Sequence, residues 1–266
     1  MLILPGGPGH AGIVDGLTTH LADRYRVVAM SSRVASARPG TEHGDQSPKV
    51  QAEDALGLIE ALFEEAPAVF AFSAGAITTL ELLARHPDSL RLAVVHEPPV
   101  LALLPDAGRH RDALAAARTA ARSGETEEAA RLMTETMTAV EPGRDTPDLR
   151  HLGNWLDTYA GTLPEPPTPE LAELFPRLGD LQSQFLEHIL LPFTTGEPDV
   201  AALGAAGPRL VPVAGIDSRG QLPYRAAAAL ATRLRLPLTE VPGGHLGPVE
   251  RPTQFAGALK ALLENR

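Results

Sequence analysis

Short apolar runs bounded by turn residues alternate along this chain with stretches of helical periodicity. Six runs of four to six residues, rich in Val, Leu, Ile or Phe, predict buried strands over 1–4, 26–30, 67–72, 91–96, 209–214 and 237–241. Between them, apolar positions at helical spacing predict helices over 12–23, 50–65, 74–86, 222–235 and 252–265. Such alternation is typical of parallel βαβ units. It predicts an α/β fold with a mostly parallel sheet flanked by helices.

The alternation stops once, between about 98 and 205. No strand pattern occurs there, and Ala-, Glu- and Arg-rich helical periodicity is interrupted by Pro-rich stretches such as 164–169. The periodicity predicts helices near 107–122, 125–140, 148–160 and 178–190. We interpret 98–205 as a helical cap or lid, inserted into an α/β core formed by 1–97 and 206–266.

Composition narrows the classes of partner. The formal net charge of −10 disfavours binding to phosphate backbones and anionic lipids, and no apolar run approaches the roughly 18 residues of a membrane span. The absence of cysteine excludes disulfides, thiolate nucleophiles and cysteine zinc sites. No signal-peptide pattern opens the chain, which predicts a cytoplasmic protein. We expect a small-molecule substrate, no nucleic-acid or membrane partner, and neither a metal nor an organic cofactor.

Ser73 is the candidate nucleophile. The predicted strand 67–72 runs directly into it, and Ala74-Gly75-Ala76 then opens a helix. Small residues two positions before and after a serine let strand and helix approach closely, while the tight turn projects the hydroxyl, as in a nucleophile elbow. A serine that merely caps the helix would give the same local pattern.

His245 is the candidate general base. It lies in the Gly-rich segment V-P-G-G-H-L-G, after the last predicted strand and before the last predicted helix. Most of the nine histidines are expected on the surface or in satisfied core positions, and this is the one in a Gly-rich loop at the end of the final strand. A base there can reach a serine that ends another parallel strand.

The segment P-G-G-P-G-H-A-G, residues 5–12, follows the first predicted strand. Glycines there permit a close approach of backbone N–H groups to a developing oxyanion, and we predict Gly7 and Ala74 as the two donors. The spacing fits neither the dinucleotide-binding G-x-G-x-x-G nor the phosphate-binding loop with its lysine. A nucleotide site is therefore not expected, although a simple tight turn remains an alternative.

Together the P-G-G-P-G loop, the A-F-S-A-G elbow and the G-G-H-L-G segment resemble the α/β-hydrolase superfamily, in particular its capped bacterial members with a serine nucleophile. The resemblance implies a serine hydrolase of a carboxylic ester, thioester or lactone. It also implies a β-hairpin before the strand that here starts at Met1. The missing hairpin would expose a sheet edge, which a second copy of the chain could cover in a homodimer.

The resemblance leaves the acid of the triad open. The superfamily usually supplies it from the loop after the strand at 209–214, and the matching position is Ser218, with Asp217 one residue early. Glu97, at the end of the strand 91–96, resembles an alternative acid position of some members. Asp217 and Glu97 therefore both remain candidates.

Three polar and aromatic residues of the predicted cap recur at every fourth position. His151, Trp155 and Tyr159 would share one helix face, either in ordinary packing or as the roof of a substrate pocket.

Fold does not fix function, so two alternatives stand beside hydrolysis. One is a non-hydrolytic lyase or cyclase of bacterial secondary metabolism that uses the same pocket, and the other is a ligand-binding protein without turnover.

Overall fold

A parallel sheet of six strands forms the centre of the part of the chain described by the computed structural model, residues 1–38, 41, 43–140 and 164–265. The strands are β1 (Leu2–Leu4), β2 (Val28–Ala29), β3 (Ala68–Phe72), β4 (Leu92–His96), β5 (Leu210–Gly215) and β6 (Thr239–Val241). Their order is β2-β1-β3-β4-β5-β6, and every pair is parallel. The predicted α/β architecture and all six predicted strands are confirmed.

Both faces of the sheet are buried at the inner strands β1, β3, β4 and β5, which explains why these strands read as continuous apolar runs. In β3, Val69 and Ala71 join the core on one face, while Phe70 and Phe72 join the core on the other. Side chains of β1, β4 and β5 are likewise divided between the two cores. Helices therefore cover each face of the sheet.

Helices follow or connect the strands, and the longer ones of the α/β core lie near the predicted positions. The helices are α1 (Asp15–Leu21), α2 (Arg33–Ser36), α3 (Pro48–Leu62), α4 (Ala74–Arg85), α5 (Ala107–Arg122), α6 (Thr126–Thr138), α7 (Pro169–His188), α8 (Leu190–Thr194), α9 (Val200–Ala206), α10 (Leu222–Leu234), α11 (Gly247–Glu250) and α12 (Pro252–Glu264). Short 3₁₀ turns precede or join several of them. None of the helices in the described ranges is long and apolar enough to cross a membrane.

Residues 98–140 and 164–205, between β4 and β5, contain helices α5 to α9 and no strand. The predicted helix 107–122 has its expected bounds, whereas the helix predicted near 178–190 begins earlier, at Pro169. Thr168 accepts a hydrogen bond from the Leu171 N–H, and Pro169 occupies the first turn, where a missing N–H costs nothing. Pro176 lies inside this helix and does not end it. The predicted helix 148–160 lies outside the described residues.

The sheet topology decides where a site can form. After β1 the chain adds β2 on one side, and it then returns to add β3 to β6 on the other side, so the order reverses between β1 and β3. Ligands of open α/β sheets bind beyond the carboxyl ends of the strands at such a reversal. Ser73 follows β3 at this point, and Gly7, Glu97, Asp217 and His245 follow β1, β4, β5 and β6 at the same edge.

Candidate active site

Ser73 occupies a strained corner between β3 and α4. Its φ of 54° is positive, which is uncommon for a residue other than glycine, and its N–H donates to the carbonyl of His96 at 3.0 Å. A Cβ on Gly75 would lie 2.1 Å from the carbonyl oxygen of Leu4. Only glycine therefore lets α4 start this close to β1, as the elbow prediction requires.

Hydrogen bonds link Ser73, His245 and Glu97 in one chain. Nε2 of His245 lies 3.1 Å from Oγ of Ser73, and Nδ1 of His245 lies 2.8 Å from Oε2 of Glu97. A buried carboxylate beside Nδ1 requires the proton on that nitrogen, which leaves Nε2 free to accept the serine proton. The arrangement can therefore activate Ser73 as a nucleophile.

Glu97 is fully buried and has all the partners that a buried carboxylate needs. Its Oε1 accepts hydrogen bonds from the Ser218 hydroxyl and from the Gly215 N–H, the latter at 2.8 Å. Burial by itself raises the pKa of Glu97, but the hydrogen bond from His245, the neighbouring histidines and Ser218 together bring it below its ordinary value. Glu97 also has a positive φ of 48°, held at the end of β4. The carboxylate is thus kept ionised against the imidazole.

Asp217, one of the two candidates for the triad acid, does not contact His245 in this structure. The Asp217 side chain is 54% exposed and pairs with Arg251 at 3.5 Å rather than with His245. The loop after β5 turns into a short 3₁₀ segment, Ile216–Ser218, and this turn directs Ser218 inward and Asp217 to the solvent side. Glu97, the second candidate, occupies the position beside the imidazole.

The predicted oxyanion donors lie on the loop after β1 and at the start of α4. Gly7 and Ala74 both line the cavity that holds Ser73 and His245. Ala74 is the first residue of α4, where a backbone N–H has no acceptor within the helix, and Gly7 has a φ of 59° that favours glycine. Ser32 braces this loop, because its N–H donates to Gly9 at 2.7 Å and its hydroxyl to Pro8 at 2.5 Å.

A cavity of about 320 Å³ opens onto Ser73. Side chains from the helices between β4 and β5 supply much of its apolar lining, including Met133, Met137, Phe185, Leu190 and Phe193. Charged and polar groups lie after β5 and β6, namely Asp217, Gln221, Glu250 and Arg251. The helices between β4 and β5 add the hydroxyls of Thr134, Thr138 and Thr194. The cavity is thus mostly apolar on the side of these helices, and its charged lining groups lie on the side of His245.

The predicted pocket residues His151, Trp155 and Tyr159 lie outside the described residues. Within the ranges that the structure describes, no three His, Asp or Glu side chains come together as metal ligands. Sequence reasoning also missed three residues that support the site: Ser32, His96 and Ser218. Ser218 was considered only as an occupant of the usual acid position, and the other two carry no motif that identifies them.

No protein-family model matches the chain. The chain is 26% identical over 270 residues to the uncharacterized hydrolase YraK of Bacillus subtilis (strain 168), and the match covers 99% of this chain and 88% of that protein.

Solved structures resemble it more in fold than in sequence. MGS-M2, an alpha/beta hydrolase enzyme from a Medee basin deep-sea metagenome library, superposes with a TM-score of 0.71 at 15% identity, covering 99% of this chain and 88% of that one. The enol-lactonase from Burkholderia xenovorans LB400 superposes with a TM-score of 0.66 at 12% identity, covering 99% and 90%. At these identities the likeness is evidence of a shared fold.

Proposed function

The chain has the α/β-hydrolase fold, and on that basis we propose that it is a serine hydrolase that cleaves a carboxylic ester, thioester or lactone. The observation that carries the proposal is the hydrogen-bonded chain Ser73–His245–Glu97 at the mouth of an apolar cavity. The match to a hydrolase over nearly the whole chain supports the same reaction class. The helices between β4 and β5 are proposed to act as the cap of the pocket.

The reaction proceeds through an acyl-enzyme. His245 accepts the Ser73 proton at Nε2 while Oγ attacks the carbonyl carbon, and Glu97 stabilises the imidazolium. The tetrahedral intermediate collapses as the bond to the leaving group breaks, and His245 gives its proton to that group. His245 then takes a proton from water as the water oxygen attacks the acyl carbon. The bond from that carbon to Oγ breaks, the acid is released, and His245 returns its proton to Oγ of Ser73.

The N–H groups of Gly7 and Ala74 are proposed to bind the oxyanion. Each donor of this kind contributes on the order of 10²–10³ in rate in enzymes where it has been removed. Ser32 donates hydrogen bonds to the carbonyls of Pro8 and Gly9, and these bonds are proposed to hold the loop that contains Gly7. Ser32 itself does not line the cavity.

The two sides of the cavity predict which half of the substrate is apolar. His245 must reach the leaving group to protonate it, so the leaving group lies on the His245 side, near Asp217, Gln221 and Arg251. The acyl group then lies against the apolar side chains of α6, α7 and α8. We propose substrates with a small apolar acyl group, because the cavity is at the lower end of the usual range for ligand sites, roughly 300–1,000 Å³.

Intact-protein mass spectrometry with a fluorophosphonate tests the proposal. We expect a single adduct on the wild type and none on Ser73→Ala or His245→Ala. Ser36→Ala is the matched control, because Ser36 is exposed on α2 and should leave labelling unchanged. Hydrolysis of p-nitrophenyl acetate, butyrate and octanoate by the same proteins then tests turnover and acyl preference.

A folded wild type that takes up no probe and hydrolyses none of the esters would contradict the proposal. Retained affinity for an apolar ligand in Ser73→Ala, together with absent turnover in the wild type, would identify a binding protein instead. Turnover that survives Ser73→Ala would favour a lyase or cyclase reaction without acylation.

A further inference from the structure

His96 is a fully buried histidine next to the proposed triad acid, and the mechanism above gives it no role. It ends β4, where its backbone carbonyl accepts the Ser73 N–H. Its Nε2 lies 3.2 Å from the carbonyl oxygen of Gly244 and 3.2 Å from that of His245. The imidazole therefore contacts the backbone of the segment that carries the proposed base.

These two contacts fix the tautomer of His96. Two carbonyl oxygens can only accept, so Nε2 must carry a proton and donate to both of them. The other ring nitrogen, Nδ1, is buried and has no hydrogen-bond partner among the described residues. Burial lowers the pKa of His96 below its ordinary value, against the opposing charge of Glu97, and the nearby His245 lowers it further. His96 is therefore a neutral donor.

The segment that His96 contacts needs such an anchor. Gly243 and Gly244 precede His245, and glycines give the backbone more freedom than any other residue. Gly243 has a φ of 83°, and its carbonyl accepts the Asp217 N–H at 3.0 Å. The next two carbonyls, those of Gly244 and His245, both accept from the imidazole. The Gly244 carbonyl also accepts the Gly247 N–H at 2.9 Å, so the His96 donor matters most at the His245 carbonyl.

Packing fixes the His96 ring in turn. Phe255 of α12 meets it edge-on, with ring centroids 5.3 Å apart and planes at 82°. The ring of His245 lies 6.3 Å away and nearly parallel, at 24°. Because both aromatic neighbours restrict rotation of the imidazole, its N–H points at the two carbonyls with little freedom to move.

We propose that His96 is a positioning residue, which fixes the backbone of His245 while Glu97 fixes its ring. The two residues are consecutive at the end of β4, so one strand end sets both the position and the orientation of the base. This inference rests on the proposed function for its effect on rate, but the geometry it claims can be measured without turnover. Displacement of a reacting group by about 1 Å can cost 10²-fold in rate.

A pair of substitutions of similar length separates the hydrogen bond from the packing. In His96→Gln, the side-chain amide nitrogen can occupy the place of Nε2 and donate to the same carbonyls. His96→Met has nearly the same shape and no donor. We expect His96→Met to lower kcat for ester hydrolysis and the rate of fluorophosphonate labelling by about 10–100-fold with little change in KM. His96→Gln should remain within about threefold of the wild type.

An NMR measurement reads the position of His245 directly. The Nδ1 proton of His245, donated to the buried Glu97 carboxylate, should give a strongly deshielded resonance protected from exchange with water. We expect this resonance in the wild type and in His96→Gln, and its loss by exchange in His96→Met. If the wild type takes up no probe, the proposed function fails, and this resonance still decides the role of His96.

Two results would overturn the inference. One is a His96→Met protein that keeps both the labelling rate and the Nδ1 resonance of the wild type. The other is an equal loss in His96→Gln and His96→Met, which would show that ring packing against Phe255 matters and the donor does not. If His96→Met does not fold by circular dichroism, His96→Asn replaces it, because its shorter amide cannot reach the two carbonyls.

Discussion

Oε2 of Glu97 lies 2.8 Å from Nδ1 of His245, although 148 residues separate them in sequence. The carboxylate comes from the end of β4 and not from the loop after β5, and Ser218 of that loop instead donates to its second oxygen. The acid is thus held by two elements and is entirely buried. This relationship carries the first prediction.

Glu97→Gln should lower kcat by about 10³–10⁴-fold, because an amide no longer stabilises the imidazolium and favours the wrong tautomer of His245. Asp217→Asn tests the competing candidate for the acid. Because Asp217 lines the cavity but lies beside Arg251 and not beside His245, we expect this variant to change KM more than kcat. Steady-state kinetics with a p-nitrophenyl ester checks both, and a larger loss in Asp217→Asn than in Glu97→Gln would reverse the assignment.

Ser218→Ala should lower kcat by about tenfold and leave KM nearly unchanged. The substitution removes one hydrogen bond to a buried carboxylate, and such bonds contribute about 1.5–3 kcal/mol. The remaining bond from the Gly215 N–H keeps Glu97 partly held. The same kinetic assay, with a thermal unfolding curve for each protein, checks the prediction. Activity equal to the wild type would show that Ser218 does not support the acid.

Gly75→Ala should destabilise the fold by more than about 3 kcal/mol, since its Cβ would lie 2.1 Å from the carbonyl of Leu4 and force α4 away from β1. Gly57→Ala is the control in α3, where a Cβ meets no atom within 4 Å. That change should stabilise the protein by roughly 0.5–1 kcal/mol. Urea denaturation of the two variants measures the difference, and similar midpoints would contradict the close approach.

Asp106→Asn should make the free energy of unfolding depend less on pH in the acid range. The hydrogen bonds from Arg225 lower the pKa of Asp106 from 3.8 to about 2, so the carboxylate stabilises the folded state above pH 3.8 and this contribution is lost as the pH falls towards 2. The side chain is 34% exposed, and after solvent screening we expect about 1 kcal/mol.

Urea unfolding at neutral pH and near pH 2 measures this effect. Asp106→Asn should be less stable than the wild type at neutral pH, and most of this difference should be gone near pH 2. Asp112→Asn is the control, because it removes a charge from an exposed position of the same helix region. A difference between Asp106→Asn and the wild type that persists undiminished near pH 2 would contradict the prediction.

The pattern of apolar residues along the chain was sufficient to predict the strands of the sheet. The strands follow from their apolar runs because a strand buried on both faces favours apolar side chains, and the polar residues His96 and Glu240 stand at or near a strand end. Ser73 and His245 were also recognisable, since Ser73 follows a strand with small residues two positions before and after it, and His245 lies in a Gly-rich loop after the last strand. The start of α7 was missed, because Pro176 suggests a helix boundary that the capped start at Thr168 and Pro169 overrides.

The choice between Glu97 and Asp217 lay beyond the sequence. Each ends a strand or begins the loop after it, so local pattern places both at the same edge of the sheet. The decision depends on one backbone turn, in which Ile216–Ser218 rotates Asp217 outward and Ser218 inward. His96 was equally hidden, because its donor matters only through carbonyls that lie 148 and 149 residues away.

The sequence by itself determined the sheet, the elbow serine and the histidine loop, because burial and tight turns impose local rules on residue type. Tertiary structure alone decided the acid and the residues that support it. A hydrogen bond between distant loops forms only when its donor and acceptor are placed to within a few tenths of an ångström and the side chain points in the right direction. These are set when β4, β5 and β6 pack side by side, and no spacing along the chain encodes them.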